Sequence, residues 1–260
     1  MQLTFYKYEG TGNDFIIIDN REGLFTCQNE LITHLCDRRF GIGADGLLLL
    51  ENALGFDFRM VYYNSDGSPA TMCGNGGRCI SAFANHIGVT GNTANFMAAD
   101  GPHSATIQRI DEHTAQVELR MKDVTIFQKN EQSVILNTGT PHFVSFVDDP
   151  DIIDIVAEGR RIRNKSEYNP IGINVNFAKL EGDQIYVRTY EKGVEDETLS
   201  CGTGVTATSI AASEYAGGRN FNVRTRGGQL SVSFEKEGNI YTNIRLSGPA
   251  TFVYSGKISV

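Results

Sequence analysis

Glu197-Thr198-Leu199-Ser200-Cys201-Gly202-Thr203-Gly204-Val205 leads straight into residues 205–216, a run of Ala, Ser and Thr with no polar face. Upstream, Ser68-Pro69-Ala70-Thr71-Met72-Cys73-Gly74-Asn75-Gly76-Gly77 leads into a second helical pattern. Both stretches put a thiol at the mouth of a helix, followed by Gly-polar-Gly. A helix N-terminus carries unpaired N–H groups and partial positive charge, which favours an anion and lowers the pKa of a nearby thiol. Glycine lets the backbone come close to a ligand. Two such mouths predict two thiols facing one anionic small molecule.

Three pairs of anchors recur at nearly constant offset: Gly12 to Gly139 is 127 residues, Gly41 to Gly172 is 131, and Cys73 to Cys201 is 128. Such spacing predicts a diverged internal duplication. In the first copy, strands are expected at 3–8 and 15–19, a helix at 29–38, buried and alternating strands at 47–50 and 56–63, and a helix after Cys73 that packs on Ile80, Phe83, Ala84 and Ile87. In the second, strands at 133–136, 143–147, 175–180 and 185–190 surround a short helix at 151–158 followed by Arg160-Arg161. A helix that is small or apolar all round is buried, so 205–216 belongs inside a curved sheet. The expected fold is α/β (α+β): two pseudo-symmetric halves, each a curved, mostly antiparallel sheet wrapped around a central helix. The halves are residues 1–122 and 123–248, with a terminal strand at 249–260 crossing to complete the first.

The chain has 260 residues, enough for a real core, and a net charge of −8 with no basic run. Nucleic acid and anionic membranes are therefore poor partners. No apolar stretch reaches the length of a membrane span and the start lacks a signal-peptide layout, so a cytoplasmic location is expected. Five scattered cysteines, an odd number, do not form a disulfide framework and fit a reducing compartment.

Cys27, Cys36 and Cys79 read as small core hydrophobes. Cys73 and Cys201 do not, because they hold equivalent places in the repeat and each precedes glycine at a helix start. Gly202-Thr203-Gly204-Val205-Thr206-Ala207 matches a dinucleotide-binding pattern, but the acidic residue wanted about 20 positions on is absent. With no Cys-x-x-Cys or His-x-x-x-His, no metal is expected. What a facing pair of thiols can do is move a proton on and off carbon: one removes it as thiolate from one face, the other supplies it from the opposite face, and a stereocentre inverts. Such a scheme demands no cofactor.

Gly10-Thr11-Gly12-Asn13-Asp14-Phe15, Asn64-Ser65-Asp66-Gly67-Ser68, Met72-Cys73-Gly74-Asn75-Gly76-Gly77-Arg78-Cys79, Pro141-His142 and 197–204 together resemble the diaminopimelate epimerase family, in the family's order over essentially the whole chain. The resemblance implies a homodimer of two-half subunits with the active site in the cleft between halves. It also implies cofactor-independent interconversion of L,L- and meso-2,6-diaminopimelate for lysine and cell-wall synthesis. By the same resemblance Cys73 and Cys201 are the acid/base pair, and Gly74, Asn75, Gly202 and Thr203 hold the substrate α-carboxylate. His142 and Glu191 assist at the reacting centre, while Asn13, Asn64, Asn174 and Lys192 contact the substrate.

Three positions depart from the family pattern. Gly46 stands where Gln is frequent, Thr140 where Asn usually precedes Pro-His, and Lys192 where Arg usually follows Glu. Lysine keeps the charge but loses the bidentate fork. These departures leave open another cofactor-independent racemase, of proline, hydroxyproline or histidine. From other classes, a non-catalytic amino-acid-binding protein and a redox-sensing thiol pair also remain open.

Overall fold

The computed structural model describes residues 2–182 and 184–259; the outermost residues of the expected halves, Met1 and Val260, lie outside the described residues. The chain divides into two compact units: one runs to Leu119 and takes in the chain from Gly248 onward, and the other is Arg120–Ser247.

In the first unit β1 (Gln2–Gly10), β2 (Asn13–Asp19), α1 (Asn29–Cys36), β3 (Gly46–Glu51), β4 (Phe58–Asn64), β5 (Pro69–Ala70), α2 (Gly74–His86), β6 (Thr93–Ala98), β7 (Gly101–Arg109) and β8 (Thr114–Arg120) follow in order. The second has β9 (Val124–Lys129), β10 (Ser133–Asn137), β11 (Pro141–Phe146), α3 (Ile155–Arg163), β12 (Asn174–Glu181), β13 (Gln184–Glu191), β14 (Asp196–Thr198), α4 (Gly202–Ala216), β15 (Asn220–Thr225) and β16 (Gly228–Glu237). Strand β17 (Ile240–Ser259) begins in the second unit and ends in the first.

The strand pairings of the two units repeat. In the first, β1 pairs antiparallel with β2, β2 runs parallel to β3, β3 antiparallel to β4, and β4 parallel to β6; β7, β8 and the end of β17 return to β1. In the second, β10, β11, β12, β13, β15 and β16 repeat that series, and the start of β17 and β9 close it back to β10. Each unit is thus a closed ring in which the strands named have a neighbour on both sides, with the short β5 and β14 added alongside β4 and β13. The equivalent anchors Gly12 (φ 84°) and Gly139 (φ 116°) both sit in the turn of the first hairpin of a ring. The duplication therefore extends from sequence spacing to topology.

Each parallel pair needs a crossover: α1 and α3 provide it on the outside of the ring for β2–β3 and β11–β12, and α2 and α4 lie in the crossovers of β4–β6 and β13–β15. Ile16, Ile18, Leu47 and Leu49 pack outward with Ile32 and Leu35 of α1. The alternate residues Phe15, Ile17, Leu48 and Leu50 are buried too. That two-sided burial explains the unbroken apolar run at 47–50. The second crossover is built the same way, with Val175, Phe177 and Tyr190 against Ile155 and Ile162 of α3.

The central helices α2 and α4 pack against the inner faces of their own rings. Helix α4 is buried from Val205 to Ser213. Its hydroxyls find partners on the helix itself, as Thr206, Thr208 and Ser209 donate to the carbonyls of Gly202, Gly204 and Val205 at 2.8–3.0 Å. Small residues thus let a helix fill the ring without orphaned polar groups. Helix α2 is likewise buried on all sides through Ala84, not on the single face its apolar spacing suggests.

Two local expectations are corrected. The helix placed at 151–158 is two elements: Asp149 accepts from the Asp151 N–H to cap a 3-10 turn at Pro150–Ile152, and Asp154 accepts from the Ala157 N–H to start α3. Arg160 and Arg161 therefore lie inside the helix, where their cations favour its C-terminal half. Cys27, expected to be buried, is exposed in the loop before α1, whereas Cys36 and Cys79 are buried.

Candidate active site

Cys73 and Cys201 are the N-cap residues of α2 and α4. Their backbones are extended, at φ −114° and −119°, and their carbonyls accept the first helical hydrogen bonds from Gly77 and Val205 at 2.7 and 2.8 Å. The amides of residues 74–76 and 202–204 consequently have no acceptor within their helices. In both places a thiol sits beside a first turn of N–H donors at the positive end of a buried helix. The arrangement suits a sulfur that carries negative charge for part of a cycle, with donors for a carboxylate alongside.

In the first unit, Cys73 Sγ lies 3.7 Å from Asn13 Oδ1, which also accepts from Asn75 Nδ2 at 3.3 Å. The amide of Asn13 is oriented by Asp45, which accepts from Nδ2 at 2.8 Å. Asp45 is bound by Arg38 at 2.7 Å; Arg38 also grips Asp14 at 2.6 Å, and Lys7 meets Asp14 at 2.6 Å. Burial raises the Asp14 pKa, but bonds from Arg38 and Lys7 outweigh it and hold the carboxyl down at about 2. A short chain of charges thus fixes the amide facing Cys73. Asn64 donates through Nδ2 to Ser68 Oγ at 3.1 Å, closing the turn before β5.

Behind Cys73 lies Arg78, fully buried in α2. It donates to the Pro249 carbonyl at 3.3 Å and to Thr11 Oγ1 at 3.1 Å. Burial lowers its pKa, while interactions with the Cys79, Cys73 and Glu9 groups oppose that loss. A buried cation near Cys73 favours a thiolate there. Its sequence signal was an arginine inside a motif whose neighbours are Gly77 and Cys79.

In the second unit, His142 and Asn174 are paired residues at the starts of parallel strands β11 and β12. His142 is fully buried, with Nε2 3.0 Å from Thr203 Oγ1 and Nδ1 3.0 Å from Asn176 Nδ2. Burial lowers its pKa to about 3, helped by the Lys192 cation and opposed by the Asn176 bond, so the ring is neutral. Thr203 Oγ1 also lies 3.3 Å from Cys201 Sγ, and Thr138 Oγ1 donates to the Thr203 carbonyl at 2.9 Å. Glu191 Oε2 accepts from Thr198 Oγ1 at 3.0 Å. Asn174 Oδ1 accepts from the Lys192 N–H at 2.9 Å, and Lys192 Nζ donates to the Ile171 carbonyl at 3.2 Å. Burial lowers the Lys192 pKa, with Arg163 adding to the effect.

The first unit therefore gathers Asn13, Cys73, Gly74 and Asn75, with Asn64 in a neighbouring turn. The second joins His142, Thr203 and Cys201 directly, and Asn174 with Lys192. Sequence reading missed Asn176, Thr138 and Arg78. Asn176 had a signal, being a polar residue in the otherwise apolar stretch 175–178. Among the described residues, no three His, Cys, Asp or Glu side chains are grouped to hold a metal ion. No helix of these residues is long and apolar enough to cross a membrane.

A family model described as diaminopimelate epimerase matches residues 5–126 and 134–253. The diaminopimelate epimerase of Flavobacterium psychrophilum is 52% identical, with 98% of this chain and 100% of the relative covered. That of Chlorobaculum tepidum is 41% identical over 96% and 99% of the two chains. Among solved structures, a phenazine biosynthesis protein of the PhzF family from Bacillus anthracis covers both chains fully at a TM-score of 0.75 and 14% identity. A hydroxyproline epimerase from Agrobacterium vitis covers 100% of this chain and 93% of its own at a TM-score of 0.73 and 16% identity. These two share the fold. Identity of this extent over whole chains, on two ring-and-helix units, leads to one conclusion: the chain belongs to the diaminopimelate epimerase family and is an isomerase.

Proposed function

We propose that the protein interconverts L,L- and meso-2,6-diaminopimelate without a cofactor, with Cys73 and Cys201 as thiolate base and thiol acid on opposite faces of the α-carbon. The observation that carries this reading is the repeated placement of one cysteine as the N-cap of each buried central helix. One sulfur takes the α-proton into a new S–H bond, and the electron pair left on carbon spreads into the neighbouring carboxylate. The other thiol gives its proton to the opposite face as the new C–H bond forms. The sulfurs exchange protonation states, and the reverse turnover restores them. Groups of equal intrinsic acidity suit a reaction that runs both ways.

The amides of Gly74, Asn75, Gly202 and Thr203 take the α-carboxylate, whose charge grows as the carbanion forms. Each such donor is worth about 10²–10³ in rate when aimed at developing charge. His142 and Glu191 assist at the reacting centre, and Asn13, Asn64, Asn174 and Lys192 contact the rest of the substrate. The working assembly in this reading is a cytoplasmic homodimer, which light scattering of the purified protein tests. Cys73→Ser and Cys201→Ser each abolish nearly all epimerisation while the circular dichroism spectrum and melting midpoint stay put. Full activity in either folded variant overturns the scheme.

A second reading rests on the end of the site where the family pattern changes. The Lys192 ammonium is tied to the Ile171 carbonyl, and the buried Thr140 hydroxyl has no hydrogen-bond partner among the described residues. A different distal group on the substrate would move the activity to another amino acid with the thiols unchanged. A substrate panel with proline, hydroxyproline and histidine separates the two readings.

A further inference from the structure

We propose that Asn176 is a positioning residue that fixes His142 as its Nε2–H tautomer, so that a one-way chain of donors ends on the sulfur of Cys201. The inference rests on the reading of Cys201 as one of the two acid/base groups and goes beyond it.

The direction of the chain follows from a group that can only accept. The Phe143 carbonyl lies 3.1 Å from one end of the Asn176 amide, so that end is the NH₂ group. Oδ1 then faces Thr189, whose hydroxyl donates to it at 3.0 Å. One N–H of Nδ2 is used on Phe143, and the other points at His142 Nδ1, 3.0 Å away. A nitrogen that receives a donor carries its lone pair, so the proton of the neutral ring is on Nε2. That N–H donates to Thr203 Oγ1 at 3.0 Å. The Thr203 hydroxyl, having accepted there, keeps its own proton for Cys201 Sγ at 3.3 Å.

A donor aimed at sulfur stabilises the thiolate over the thiol. The chain therefore favours Cys201 in the state that removes a proton from carbon. The other tautomer would set the Nδ1–H of the ring against the Asn176 N–H and leave Nε2 needing the Thr203 proton. Cys201 would then lose the Thr203 donor. An imidazolium meets the same conflict at Nδ1. The Lys192 cation also acts on the ring and disfavours the imidazolium. Glu191, at the end of β13, accepts from Thr198.

Asn176 has the properties of a fixed pivot. It is fully buried, both its amide protons and its oxygen are engaged, and it faces α4 from β12. Its partners come from β11 and β13, so three strands hold the amide that orients the ring.

The test reads the tautomer directly, without substrate. In ¹⁵N-histidine-labelled protein, two-bond ¹⁵N–¹H correlations assign His142 by its loss in His142→Gln. The expected wild-type pattern is a protonated Nε2 with a bare Nδ1. Asn176→Asp, of the same shape, places a carboxylate acceptor at Nδ1 and moves the proton there. In that variant kcat falls about 10- to 100-fold, as expected for a misaligned reacting group, with KM within about twofold of wild type. In a Cys27→Ser, Cys73→Ser background, the thiolate absorbance of Cys201 moves to higher pH on adding Asn176→Asp. A wild-type ring protonated at Nδ1 overturns the proposal, and this result needs no variant to fold. So does an Asn176→Asp protein whose tautomer and thiol titration are unchanged. If the tautomer is as expected but the wild-type protein epimerises nothing, the proposed function fails and the wiring stands.

Discussion

A Cβ on Gly204 would lie 2.5 Å from Asn176 Oδ1, 3.3 Å from Cys201 Cβ and 3.4 Å from His142 Cε1. Glycine at this place in the Cys-Gly-polar-Gly motif is thus explained by close approach. Alanine there would raise helix propensity by about 1 kcal/mol. Against that gain, displacing a buried amide with all its bonds made costs about 1–3 kcal/mol. Gly204→Ala is therefore expected to lower the unfolding free energy by urea titration and to reduce kcat more than it raises KM. A variant that is stabilised and fully active would contradict the packing argument.

Acid should reveal the buried histidine. Burial first, and the Lys192 cation second, hold the His142 pKa at about 3, below that of an unfolded histidine. The folded state therefore binds fewer protons than the unfolded one between those values, and stability falls as pH drops through that window. The histidine's contribution is complete above about pH 6.5 and is lost towards pH 3, at a slope of ~1.4 kcal/mol per pH unit. Urea unfolding from pH 7 to pH 4 should show a shallower decline for His142→Gln than for wild type. Equal slopes would place the titration elsewhere.

Asp14 supports the other thiol from a distance. Its carboxylate neutralises the buried Lys7, whose ammonium also donates to the Gly43 carbonyl, and it shares Arg38 with Asp45. Asp14→Asn leaves that lysine charge uncompensated and should cost about 3 kcal/mol of stability at pH 7. The difference from wild type should shrink as pH falls towards the depressed Asp14 pKa of about 2, where the wild-type carboxyl protonates as well. A difference that stays constant down to that pH would rule out the ion pair as its source.

Gly46 is glycine for a local steric reason. A Cβ there would sit 2.6 Å from both Tyr62 Cε2 and the Tyr63 carbonyl. Gly46→Gln should therefore lower the melting midpoint, since overpacking costs about 1–3 kcal/mol. A stable Gln variant with a lower KM would show instead that the position serves the substrate.

Much of this molecule is legible in its sequence. Cys73 and Cys201 were readable because an N-cap followed by glycine is a local pattern, and its repetition at offset 128 exposed the duplication. The burial of α4 followed from its lack of a polar face. The split near Pro150 was missed because two aspartate caps interrupt an apolar run that otherwise has helical spacing. Asn176 and Thr189 stayed hidden because their roles come from strand pairing: β12 and β13 bring Asn176 opposite Thr189. Arg78 stands inside a motif, but its burial behind Cys73 depends on Thr11 and Pro249, far away in the chain.

The central claim is tested most directly by turnover of L,L-diaminopimelate in heavy water with no added cofactor, following configuration and isotope at the α-carbon. The account predicts conversion to the meso form with deuterium at the inverted centre, because the proton added comes from a thiol that exchanges with solvent. Inversion with the original proton retained, or no inversion by folded and reduced protein, would contradict it.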